Sequence, residues 1–138
     1  MIYCTYFGYK IGSNQSDISV SNKDKVGIEN AIVGFIHAEA EDVEDETSEE
    51  SIRKVTTKLI KNLKWLAKKN STKNIVLHSF AHLSESKAEP ESVKKIFNQA
   101  EERLKNSGYS VRQTPFGYFL DLEIKAPGYS LARVFKSF

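Results

Sequence analysis

The chain has 138 residues, 40% of them apolar, and a formal net charge of +2, which suits one compact domain with a sizeable core. No stretch approaches the roughly 20 apolar residues of a membrane span, and no basic segment precedes an apolar run, so neither an anchor nor a signal peptide is expected. The single cysteine, Cys4, excludes an internal disulfide and a cysteine-built metal cage, and the expected address is cytoplasmic.

Residues 2–9 are rich in aromatic and β-branched types and read as a first strand. Strict alternation places Tyr3, Thr5, Phe7 and Tyr9 on one face and Ile2, Cys4 and Tyr6 on the other. Cys4 has no basic neighbour in sequence and reads as a small buried residue. Residues 13–25 are polar and read as a loop. Residues 31–40 read as a second strand, with Gly34 marking a bulge or close backbone approach.

The charges are segregated rather than mixed. Residues 39–50 are strongly acidic and read as a solvated loop feeding a helix N-terminus, where carboxylates complement the macrodipole. That helix runs from Ser48 to about Lys69. Thr47 or Ser48 can cap it, and Ile52, Val55, Leu59, Leu63 and Leu66 recur at helical spacing. Lys54, Lys58, Lys61 and Lys68 form another stripe, read as a wet face or as a contact for phosphates. Trp65 reads as packing.

Ile75, Val76 and Leu77 form a short apolar strand that delivers Phe80, Ala81 and His82 to its end, where loops on rigid scaffolds carry chemistry. Pro90 opens a second helix to about Asn106, with Val93, Ile96, Phe97, Ala100 and Leu104 on one face and Ser107-Gly108 as its stop. Residues 109–113 read as a strand. Residues 117–125 and 129–135 read as a hairpin closed at Pro127-Gly128. The order β-β-α-β-α-β-β-β indicates an α/β domain with two main helices over a mixed or mostly antiparallel sheet.

His37-Ala38-Glu39 has the H-x-E spacing of zinc deaminases but lacks the cysteine pair that completes that site. His78 and His82 are four apart, yet the first lies in a strand and no third ligand is evident, so no metal is expected. No phosphate loop, dinucleotide fingerprint or nucleophile elbow is present. His82 reads either as a structural hydrogen-bonder or as a site residue. The aromatic run from Phe116 to Phe119 reads either as core or as a platform on which a base or ribose stacks.

Phe80-Ala81-His82-Leu83-Ser84, then Pro115-Phe116-Gly117-Tyr118-Phe119, then Gly128-x-x-Leu131-Ala132 resemble the N-terminal editing domain of archaeal threonyl-tRNA synthetases. That domain is akin in fold to the D-aminoacyl-tRNA deacylases. The resemblance implies a single editing domain, residues 1–138, belonging to a longer synthetase, that hydrolyses serine wrongly attached to threonine tRNA. A hydrolytic second sieve is needed because one missing methyl is worth only about 1–3 kcal/mol of discrimination.

The resemblance further implies that Ala38, Phe80, Ala81, Phe116, Gly117, Tyr118 and Phe119 line the pocket, with His82 as a polar contact and the terminal ribose 2′-hydroxyl helping to activate water. Implied partners are the 3′ end of threonine tRNA, the rest of the synthetase and a second copy of the domain; no cofactor, metal or membrane is implied. A non-catalytic module that holds the aminoacyl-tRNA end, or a deacylase for another aminoacyl group, stays open. Leu120 stands where the family carries a lysine, and Arg133 where it carries a glutamate. In the expected hairpin Leu122 faces Arg133 and Leu120 lies on its diagonal, so Arg133 reads either as a side chain pointing to solvent at the sheet edge or as the missing cation.

Overall fold

The computed structural model describes residues 1–12, 25–43 and 48–138. Its five strands are β1 (Ile2–Ile11), β2 (Val26–Ile36), β3 (Asn74–Ser79), β4 (Ser110–Gln113) and β5 (Leu120–Lys125). The two helices are α1 (Ser48–Lys69) and α2 (Pro90–Asn106). One sheet holds all five strands in the order β4-β3-β2-β1-β5. β2, β3 and β4 run parallel, and β1 is antiparallel to both β2 and β5. The expected mixed α/β sheet with two helices is what forms. The loop expected over residues 13–25 lies, except for Lys25, outside the described residues, as does the side-chain cap expected at Thr47 or Ser48.

The crossovers β2–α1–β3 and β3–α2–β4 step the same way along the sheet, so right-handed connections put both helices on one face. Ile52, Leu59, Leu63 and Leu66 of α1 meet Val93, Ile96, Phe97, Ala100 and Leu104 of α2 over Ile32, Ile75, Leu77 and Val111. The opposite face carries a smaller cluster of Cys4, Phe7, Tyr9, Ala31, Val33 and Val76, with neither α1 nor α2 above it. Burial pushes the Cys4 thiol up to about 11, consistent with an inert packed residue. No helix among the described residues is long and apolar enough to cross a membrane.

β2 begins five residues earlier than the second strand read from sequence and stops at Ile36 rather than at residue 40. Asn30 accounts for part of this. Its φ of 50° lies in the left-handed region and interrupts the pattern of apolar residues. Val26 and Ile28 point to the helix-free face before it, Ala31, Val33 and Phe35 after it. β1 slips in the same place, with Ile2 and Cys4, then Phe7 and Tyr9, on that face, while Tyr3 packs on the helix side. The expected alternation of β1 is therefore corrected between Cys4 and Phe7. The slip turns Phe7 and Tyr9 onto the face that holds the cleft.

The expected hairpin at Pro127-Gly128 does not form. β5 gives its ladder bonds to β1, with Tyr6 opposite Lys125 and Ile11 opposite Leu120. The chain then bulges through a short 3-10 turn (Ser130–Ala132) and rejoins the same edge of β1, with Arg133 bridging Ile2. A proline locked near φ −65° cannot open the primed turns that two-residue hairpins need. The excursion is instead held by α1. The Asn70 amide donates to the Leu131 carbonyl at 3.0 Å, and the Tyr129 hydroxyl donates to Asn70 Oδ1 at 2.6 Å. Ala132 is fully buried beneath it.

Trp65 is also corrected. It lies on the solvent side of α1, 39% exposed, with Lys136 Nζ 5.9 Å from its ring centroid. Within the sheet, apolar side chains are left exposed on the edge strand β5, at Leu122 and Ile124, rather than on the aromatic β1, which is an interior strand.

Candidate functional site

The carboxyl ends of β3 and β4 and the start of β5 enclose a cleft of about 370 Å³ on the helix-free face. Parallel β3 ends at Ser79, and Phe80 N–H still donates to the Ile36 carbonyl at 2.9 Å, so the turn beyond starts from a rigid ladder. Crevices outside the carboxyl ends of parallel strands are common ligand sites in α/β sheets. Across the cleft, Thr114 N–H donates to the Leu77 carbonyl at 3.0 Å and anchors the segment that carries Pro115 and Gly117. Gly117 takes φ +84°, a turn conformation that L side chains rarely adopt, and it brings Tyr118 and Phe119 round to the cleft.

A ladder of ring contacts runs from the floor to the rim. Phe7 lies 6.5 Å from His78, Phe35 lies 5.2 Å from His78 and 5.6 Å from Phe80, and Phe80 lies 5.2 Å from His82. All four are within the range of edge-to-face aromatic contacts. His78 is 8% exposed, and its Nδ1 shares a 2.9 Å hydrogen bond with Thr114 Oγ1, itself buried. Burial lowers the His78 pKa below its ordinary value, so the ring stays neutral at neutral pH. His82, by contrast, is exposed at the rim.

Of the residues expected to line the site, Phe80, Ala81, His82, Gly117, Tyr118 and Phe119 come together in this cleft. Three do not. Ala38 follows β2, where its carbonyl accepts from Ala88 N–H at 2.9 Å, and it lines a separate cavity of about 130 Å³ beside α1 and the C-terminal tail. Phe116 turns onto the helix-side core, with Lys94 Nζ 5.5 Å from its ring centroid. Arg133 is exposed beside Ile2, whereas Leu120 pairs with Ile11. Nine residues of β1 at about 3.4 Å each separate those two points by about 30 Å, so Arg133 does not reach over Leu120.

The cleft has a cation that the sequence pattern did not mark. Lys87, from the β3–α2 connection, lines it together with His78, Pro115, Leu120 and Leu122. Lys87 is exposed, and among the described residues it has no ion pair and no carboxylate lines the cleft. Its one sequence signal is proximity to the Phe80–Ser84 run, too weak to single it out. Among the described residues no group of three or more His, Cys, Asp or Glu side chains could hold a metal ion. The described residues offer stacking faces, a neutral imidazole and an ammonium: chemistry suited to a nucleoside and its phosphate.

The whole chain, residues 1–138, matches the family described as the archaea-specific editing domain of threonyl-tRNA synthetase. It is 28% identical over 137 residues to the threonine–tRNA ligase of Thermococcus sibiricus and 29% identical over 136 residues to that of Methanosphaera stadtmanae. The ligase of Pyrococcus furiosus is 28% identical over 137 residues. Each alignment covers 97% of this chain and 21% of the relative, so the chain spans about a fifth of the length of these ligases. By its full-length match, the chain belongs to the archaea-specific threonyl-tRNA synthetase editing-domain family.

Proposed function

We propose that the chain proofreads aminoacyl-tRNA by hydrolysing serine from threonine tRNA. The observation that carries this reading is the cleft itself. It combines Phe80, Tyr118 and Phe119 with the Lys87 ammonium, which has no ion pair among the described residues, on a chain that matches the editing family from end to end. The terminal adenosine stacks on the aromatic faces, its phosphate meets Lys87, and His82 contacts the aminoacyl end from the rim. Water attacks the ester carbonyl, the ester C–O bond breaks, and the proton lost by water ends on the freed ribose oxygen.

No carboxylate lines the cleft among the described residues, and in this reading the neighbouring ribose 2′-hydroxyl handles the water proton. The protein contributes orientation and exclusion of solvent, which can lower a barrier by several kcal/mol without any side-chain acid or base. The domain acts as part of a longer synthetase and pairs with a second copy of itself through the exposed apolar edge at Leu122 and Ile124. Sedimentation at high concentration checks the pairing, and a strictly monomeric mass refutes it.

The test of the reaction is release of serine from mischarged threonine tRNA, run beside correctly charged threonine tRNA, with and without a chelator. Hydrolysis of the serine ester alone, unaffected by chelation, is the expected result. Equal hydrolysis of both esters, or loss on chelation, overturns it. A cleft without a carboxylate among the described residues also suits a second reading, a module that holds the aminoacyl end without cleaving it. Binding without turnover in the same assay establishes that reading, and turnover of a different aminoacyl ester identifies a different specificity.

A further inference from the structure

We propose that the solvent face of α1 is a docking surface for an RNA phosphate backbone, that of the RNA whose 3′ end enters the cleft. The inference rests on the aminoacyl-RNA reading of the cleft but on different residues. From Ser51 to Ser84 the chain holds eight Lys and Arg and no Asp or Glu. Within α1 the two acidic residues, Glu49 and Glu50, both sit in the first turn, so the remaining length carries cations only.

Those cations are ordered by the helix. Lys54, Lys58, Lys61 and Lys68 recur at spacings that keep them on one stripe, with Trp65 between the last two. All are exposed, and the stripe lies opposite buried Ile52, Leu59, Leu63 and Leu66. Fourteen residues at 1.5 Å rise give a row of charge about 21 Å long. Lys54 is paired with Glu50 at 3.0 Å, while Lys58, Lys61 and Lys68 have no ion pair among the described residues.

α2 is an internal comparison. Two of its three lysines are answered on the same helix, Lys94 by Glu91 at 3.8 Å and Lys105 by Glu101 at 3.2 Å, and Lys95 has no ion pair among the described residues. Charge on a wet helix face is commonly offset in that way, whereas α1 beyond its first turn has no acidic residue to do so. Close like charges repel and cost stability unless a polyanion or counterions meet them. Lys136, with its Nζ 5.9 Å from the Trp65 ring centroid, adds a further cation beside the exposed indole. A regular, uncompensated row of ammonium groups with an exposed indole complements a phosphate backbone, which releases counterions on contact.

The experiment measures binding of deacylated threonine tRNA to the full chain across a sodium chloride series. It compares the parent with K58Q/K61Q/K68Q and with K94Q/K95Q/K105Q, which removes the same charge from α2. Each lost phosphate contact should lower the slope of log affinity against log salt by about one. The α1 variant should therefore lose about three from the slope and bind roughly tenfold or more weakly at low salt, while the α2 variant stays near the parent. Hydrolysis of a short substrate, 3′-seryl-adenosine, should be the same in all three proteins, because it has no backbone to reach α1.

Equal slopes in the two variants, an unchanged slope in the α1 variant, or no tRNA binding by the parent overturns the proposal. An α1 variant that keeps tRNA affinity but loses self-association assigns the stripe to the acidic segment of a second copy, which also overturns it. If the parent binds tRNA yet cleaves no aminoacyl ester, the cleft reading fails while the slopes still decide the role of α1.

Discussion

Replacing His78 with asparagine should remove a defined part of the acid sensitivity of this domain. His78 is 8% exposed, ringed by Phe7, Phe35 and Phe80, and hydrogen-bonded at 2.9 Å to buried Thr114. Burial holds its folded-state pKa below the ordinary value of 6.5. Above that value both folded and unfolded chains carry a neutral ring, and pH has no effect through this group. As pH falls below it, the unfolded chain takes up a proton that the folded chain refuses. Stability then drops by up to about 1.4 kcal/mol per pH unit until the lowered folded value is reached.

Between about pH 7.5 and 5.5 the loss through His78 is at most about 1.4 kcal/mol, a sizeable share of the roughly 5–15 kcal/mol that hold a domain together. Asparagine places an amide near the Nδ1 position, so Thr114 keeps a partner while the titration disappears. The lost ring should cost about 1–3 kcal/mol at every pH. Urea unfolding of parent and variant at both ends of that range gives the difference, and His37 and His82, present in both proteins, cancel. A variant that loses as much stability as the parent on acidification refutes the assignment of a buried neutral ring.

Lys87→Gln should weaken binding of adenosine 5′-monophosphate about two- to fivefold, as expected for an exposed ammonium, and Lys87→Arg should retain most of the affinity, both read by calorimetry. Gly117→Ala should cost about 1–2 kcal/mol in urea unfolding and slow serine release. A Cβ there meets nothing within 4 Å, so the cost comes from φ +84° alone. Thr56 is fully buried and its hydroxyl has no partner among the described residues. Thr56→Val should therefore stabilise by up to about 1 kcal/mol, seen as a melting temperature a few degrees higher.

Both helices, β3 and the mixed α/β class were legible in the sequence because their signals are local. The 3.6-residue recurrence in α1 and α2, Pro90 at the start of α2 and the run Ile75-Val76-Leu77 each need only neighbours in the chain. Phe80, Ala81, His82, Gly117, Tyr118 and Phe119 were recognised as two separate motifs, and the structure brings them to one cleft. What tertiary structure alone decided is pairing. β5 had two possible edges, residues 129–135 or β1, and β1 won because Pro127 cannot form the tight turn and Asn70 captures the following segment. That choice carried Arg133 about 30 Å away from Leu120. Among the described residues it left Lys87, on a connection with no distinguishing pattern, as the cation of the cleft. The slip at Asn30 likewise decided which face Phe7 and Tyr9 serve, because a single residue in the left-handed region reverses an alternation that no local count of apolar residues records.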